Sequence, residues 1–238
     1  MDQGAEGSSP NWCIEIEQAS VVLGGFPALA NLYFNALEGD FVLVAGPNGA
    51  GKSTLLRLLA GLRNPVCSSA NVLGHDLTDP QQRRSLKSRV GLMEHQPNLY
   101  SDLTVSENIR LWTQLARSDS DLCIEVAGQV GLGTATLKQQ TRDLSHGQRR
   151  KLSFALLAAK RPELWLLDEP LSGLDKQSQT VVSDIIGSAK DAGATIVFAS
   201  HDSNALSEHK PREVQLVNGS IAASAKFPAP EISEVEDV

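Results

Sequence analysis

Phe41-Val-Leu-Val-Ala45 runs directly into Gly46-Pro47-Asn48-Gly49-Ala50-Gly51-Lys52-Ser53-Thr54, and Ser53 opens the leucine-spaced segment STLLRLLAGL. Five apolar residues beside a glycine are too few for a buried helix and read as a strand covered on both faces. The leucine spacing predicts a helix over 53–62, stopped by Gly61 and Pro65. Between the two, glycine, four residues and then Gly-Lys-Ser form a phosphate loop in its strand–loop–helix setting. Glycines let successive N–H groups curl inward around phosphate oxygens. The helix N-terminus adds unpaired donors and a favourable dipole. Lys52 is placed to reach β and γ phosphates, and Ser53 to give Mg²⁺ a hydroxyl ligand. The loop alone indicates a nucleoside triphosphate and leaves open what is done with it.

Two further short apolar runs, Leu164-Trp-Leu-Leu167 and Thr195-Ile-Val-Phe-Ala199, also read as buried strands. Helical patterns lie around them over 146–160 and 177–192. Strands alternating with helices predict a parallel sheet covered by helices on both faces. The stretch from about 92 to 160 has weak strand signals and helical patterns over 105–116, 121–130 and 146–160, so it is expected to be a helical insertion. No internal repeat is present.

Asp168-Glu169 ends the second of these strands, where ligands bind in open α/β sheets. Asp168 is the candidate to hold Mg²⁺, directly or through water. Glu169, one residue further, is the candidate general base toward an attacking water.

Composition sets the outer limits. With 238 residues, 41% of them hydrophobic, the chain buries a sizeable core and fits one large α/β domain over 12–222. The 28 acidic residues outnumber the 21 basic ones, a net charge of −7 that argues against nucleic acid as a partner. Cys13, Cys67 and Cys123 form neither a metal pair nor a disulfide framework, and fit a reducing compartment. No run approaches the ~18 apolar residues that cross a bilayer, and the polar start is no secretory signal. The chain is therefore expected to be soluble by itself. Residues 1–11 are expected to be a disordered tail and 223–238 a solvated acidic one.

Leu144-Ser145-His146-Gly147-Gln148 stands about twenty residues before Asp168-Glu169, Ser172-Gly173-Leu174-Asp175 follows it, and His201 closes the strand 195–199. With the phosphate loop these segments resemble the nucleotide-binding subunit of ABC transporters, in order and spacing, over roughly 14–222. The resemblance implies an α/β P-loop NTPase fold with a mostly parallel sheet, an N-terminal antiparallel β subdomain and an inserted α-helical subdomain. It implies ATP and Mg²⁺ as cofactors and ATP hydrolysis as the activity. It also implies two partners: a second ATP-binding subunit, in a head-to-tail dimer sandwiching two ATP molecules, and an integral membrane permease that holds the chain at the cytoplasmic face of the membrane. Each ATP would lie on one phosphate loop and meet the Ser145 segment of the other subunit. The Ser145 hydroxyl and the N–H groups of Gly147 and Gln148 are expected to form an anion site at the start of helix 146–160. His201 would contact the γ-phosphate and hold Glu169 and water in place, and Asp175 would carry information across the dimer interface.

Three places depart from the family pattern or leave it open. His146 stands where glycine is common, either as a neutral substitution or as a titratable group near the γ-phosphate. The family's Mg²⁺-binding glutamine is expected eight residues before the leucine of Leu103-Thr-Val105, which is His95, while Gln96 follows one residue later. Either residue fills the position. Phe26 is the nearest aromatic to stack on adenine, or else packs on an outer sheet. Locally, Glu94-His95 through Leu111-Trp112 and Leu164 through Gln177 look similar to the ATP-binding subunit of the haem exporter of cytochrome c maturation. A motor for another substrate, such as a drug or lipid, is the alternative, and a soluble non-transport ATPase of DNA repair or translation a further one. The permease is expected to dock near 92–112, beside Tyr100, Leu111 and Trp112, unless these pack the insertion's own core.

Overall fold

The computed structural model describes residues 11–221. The tails expected at 1–11 and 223–238 fall outside them, Asn11 apart. Two sheets and six helices build the described chain.

The first sheet is antiparallel, in the order β2-β1-β4-β5. It is made by β1 (Trp12–Leu23), β2 (Phe26–Leu37), β4 (Ser69–Val72) and β5 (His75–Asp76). The second contains β3 (Phe41–Ala45), β6 (Val90–Met93), β7 (Leu164–Asp168), β8 (Thr195–Ser200), β9 (Arg212–Val217) and β10 (Ser220–Ile221). Its order is β10-β9-β3-β8-β7-β6, parallel throughout except for the β9–β10 hairpin.

Side-chain alternation in the second sheet sorts the core into two layers. Val42, Val44, Leu164, Leu166, Val197 and Ala199 face α1 (Lys52–Leu59) and the antiparallel sheet beyond it. Leucines 55, 56, 58 and 59 of α1 are all buried between the two sheets. Truncating one of them to alanine is expected to cost ~2–5 kcal/mol. Phe41, Leu43, Trp165, Leu167, Ile196 and Phe198 face the other way. They meet α5 (His146–Lys160) and α6 (Lys176–Asp191), together with α3 (Val105–Ala116) and α4 (Ser120–Gln129). The α2 helix (Pro80–Arg89) contributes only Leu86 to the first layer.

One boundary differs from the sequence reading. Leu92 and Met93 do not open the helical insertion. They complete β6, pairing with Leu166 and Leu167 at the sheet edge, because the strand is needed to cover that side of β7. The helical stretch starts at Val105 and packs through α4 and α5 against the second layer. Among the described residues, no helix is long and apolar enough to cross a membrane.

Candidate active site

Parallel strands β3, β8 and β7 end side by side, with Ala45 opposite Ser200 and Asp168 opposite Ala199. The loop after β3 therefore opens onto the acids after β7. A cleft of about 490 Å³ lies there, lined by Asn48, Gly49, Gly51, Lys52, Ser53 and Thr54 on one side and His95, Asp168, Glu169 and His201 on the other. Ala28 and Ser172 also line it; Ala28 was not singled out in the sequence, and Ser172 was only as the start of the Ser172–Asp175 segment.

The phosphate loop is held closed by its own lysine. Lys52, only 8% exposed, donates from Nζ to the carbonyls of Gly46 at 2.6 Å and Pro47 at 3.1 Å. A Cβ at Gly46, where φ is +151°, would lie 2.2 Å from the Leu216 carbonyl oxygen, so only glycine permits this approach of loop to strand. Ala50 is buried within the loop, and its carbonyl accepts from the Gly219 N–H at 2.9 Å. The β9–β10 turn thus braces the loop. Ser53 Oγ donates to Asp168 Oδ2 at 2.6 Å, joining α1 to the end of β7.

Glu169 stands at φ +52°, in the left-handed region that non-glycine residues seldom enter. Its N–H still bonds to the Ala199 carbonyl, so the strand pairing continues while the side chain turns into the cleft. Oε1 accepts from the His201 N–H at 2.9 Å and lies 2.8 Å from His201 Nδ1; Oε2 accepts from Ser200 Oγ at 3.2 Å. The carboxylate and the imidazole thus form one unit across β7 and β8.

The remaining expected residues sit elsewhere. Ser145 caps α5, its hydroxyl accepting from the Gln148 N–H at 3.2 Å while Gln148 Oε1 accepts from the Ser145 N–H at 2.8 Å. This reciprocal cap satisfies two orphan groups of the helix end. The cap engages the Gln148 N–H of the expected anion site, and the Gly147 N–H belongs to the same turn. Asp175 caps α6 through the Ser178 N–H at 2.9 Å and pairs with Lys151 at 2.7 Å. These bonds, the Lys151 one foremost, hold its carboxyl well below the usual range.

Gln96 is exposed and outside the cleft lining, whereas His95 is within it. Phe26 is 78% exposed at the start of β2, so it does not pack on an outer sheet, and it too lies outside the lining. Ala28, two residues along the same strand, is the nearer lining residue. The rings of His95 and His146 stand 6.2 Å apart. Partial burial first, then the charges of Arg150, His95 and Arg149, hold His146 below the ordinary histidine range. Arg150 is a residue that the sequence reading passed over, fully buried on α5 behind the two acids.

Residues 29–172 match the family described as ABC transporter. The chain belongs to the ABC transporter family. It is the ATP-binding subunit of such a transporter and an ATPase. The cytochrome c biogenesis ATP-binding export protein CcmA of Idiomarina loihiensis is 34% identical over 220 residues, covering 91% of this chain and 97% of that protein. Proteins of the same name from four further bacteria are 32–37% identical to this chain. The phosphonates import ATP-binding protein PhnC of Hyphomonas neptunium is 30% identical over 88% of this chain and 85% of its own. Among solved structures, the dimeric ATP-binding cassette MJ0796, in a post-hydrolysis state bound to ADP and Pi, superposes with a TM-score of 0.78. It is 24% identical and covers 87% of this chain and 96% of that one, so the ABC cassette fold is shared.

Proposed function

We propose that this ABC subunit powers export of haem for cytochrome c biogenesis, as a head-to-tail dimer docked on a permease at the cytoplasmic face of the membrane. The observation that carries the cargo is the recurrence of the cytochrome c biogenesis export name among relatives that cover most of the chain. The local segments 94–112 and 164–177 point the same way.

The chemistry is read from the cleft. Lys52 would exchange its two loop carbonyls for β and γ phosphate oxygens, which offer it full negative charge. Ser53 Oγ and Asp168 Oδ2, one neutral and one anionic hard oxygen 2.6 Å apart, fit Mg²⁺ chemistry, and His95 is better placed than Gln96 to join them. Mg²⁺ at these residues supplies neutralisation of charge on the phosphates. Glu169 would take the proton of the attacking water, a contribution of ~10²–10⁴ in rate. His201 orients that carboxylate from both its N–H and its ring. Phe26, exposed two residues before Ala28, is kept as the adenine platform. Ser145, Gly147 and Gln148 would meet the γ-phosphate on the second subunit, and Asp175 would report across the same interface.

A second cavity, about 650 Å³, lies between α3 and the β6 edge and is lined by Leu92, Leu99, Trp112, Leu115 and Leu156. Leu115 is exposed there, and Tyr100 sits 6.0 Å from the Trp112 ring, while Leu111 is outside the lining. This cavity is the proposed seat of the permease. Deleting the chain in its own organism and staining for covalently bound haem tests the cargo. Loss of c-type cytochromes, restored by the wild type and not by Lys52→Ala, supports haem export. Normal c-type cytochromes overturn it and favour another substrate, such as that of the phosphonate-importing relative.

A further inference from the structure

Arg150 is 0% exposed, yet no carboxylate oxygen is among its hydrogen-bond partners. All its partners are backbone carbonyls. Nη1 donates to the His95 oxygen at 2.8 Å, and Nη2 donates to the oxygens of Asp168, at 3.2 Å, and of Glu169. Nε has no partner. A guanidinium buried with an orphan N–H is costly for stability alone. The arrangement is explained by what the three carbonyls belong to. Two belong to the peptides on either side of Glu169, where the chain leaves β7 and enters the left-handed conformation. The third belongs to the residue that lines the cleft opposite. The rigid planar fork fixes all three at once, a geometry open to arginine and not to lysine.

We infer that Arg150 is a positioning residue for ATP hydrolysis: from the helix that Ser145 begins, it sets the turn that aims Glu169 and ties it to the His95 loop. The inference rests on the reading of Glu169 as the general base. It differs from the capping and phosphate contacts of the same helix, because Arg150 is fully buried and its hydrogen bonds go to backbone carbonyls. One helix therefore holds the acid, the His95 loop and the Ser145 end in a fixed mutual relation.

The test compares Arg150→Lys and Arg150→Met, each in the wild-type and in the Glu169→Gln background. The lysine keeps the charge and loses the fork; the methionine removes the buried charge and its orphan N–H and leaves the three carbonyls without this donor. Urea unfolding establishes that the variants fold, fluorescent-ATP titration gives Kd, and phosphate release gives kcat and KM. The expected result is a kcat lowered ~10–100-fold in both, the cost of a misaimed catalytic group. KM and Kd stay within about threefold, and neither substitution slows Glu169→Gln further. Wild-type kcat in folded variants overturns the inference. So does an equal loss in the Glu169→Gln background, a Kd that weakens in step with kcat, or failure of both variants to fold, each of which assigns Arg150 to structure alone. Wild-type turnover by Glu169→Gln itself overturns the base assignment and this inference with it. An inactive Glu169→Gln beside a fully active Arg150→Lys overturns this inference only.

Discussion

Lys52 donates to the carbonyls of its own loop, and this shapes what its removal does. Lys52→Ala loses the phosphate contact and also releases the Gly46–Pro47 curl. ATP binding is expected to weaken ~10–100-fold in a fluorescent-nucleotide titration, with no measurable turnover. His146 makes the opposite case. Its pKa is lowered from 6.5, so it is already neutral near pH 7 and gains a proton only on acidification. The ATPase profile of His146→Gly is expected to superimpose on that of wild type between about pH 6 and pH 8. A shifted acidic limb would make this histidine a participant in hydrolysis.

Helix ends give measurable predictions at the scale of elements. Ser145→Ala removes the reciprocal cap of α5 and is expected to lower stability by about 1 kcal/mol in urea unfolding. Asp175 caps α6 with a carboxyl held below its usual 3.8. Its contribution is therefore complete above about pH 4 and fades as the pH falls through the lowered folded value. Asp175→Asn is expected to unfold earlier than wild type at neutral pH, with the difference closing in acid. Elements with one clear signal were legible from the residues: β3, β7 and β8 as short apolar runs, and α3 and α5 to both ends. Others lacked such a signal. In β1 the alternation is broken around Gln18, at φ +53°, where the pairing with β2 shifts register. In α2 one buried residue makes no apolar stripe, although Asp79 before Pro80 was a readable helix start. In β6, Gly91 weakens the strand pattern; it is there because a Cβ would lie 2.6 Å from Pro162. The site divides likewise. The phosphate loop and the two acids are contiguous motifs, whereas Arg150 finds partners 55, 18 and 19 residues away and shows no local pattern.

At the scale of the whole molecule, the sheet order places the phosphate loop, both acids and His201 at the ends of three adjacent strands, β3, β8 and β7. The Ser145 end of α5 and Asp175 lie outside that cleft lining, which is what a site completed by a second subunit requires. Glu169→Gln with ATP and Mg²⁺ is expected to give twice the mass of the chain by light scattering, and Ser145→Arg in the same background the mass of one chain. The surface cavity beside Trp112 is large enough for a partner element, and co-purification with an integral membrane subunit is expected to be lost when Leu115 there is replaced by a charge. The proposed hydrolysis depends on Glu169 as the group that activates water. Steady-state phosphate release by purified Glu169→Gln beside wild type, at saturating ATP and Mg²⁺, tests that most directly. A fall of ~10²-fold or more is the expected result, and a rate within about a factor of two of wild type would contradict it.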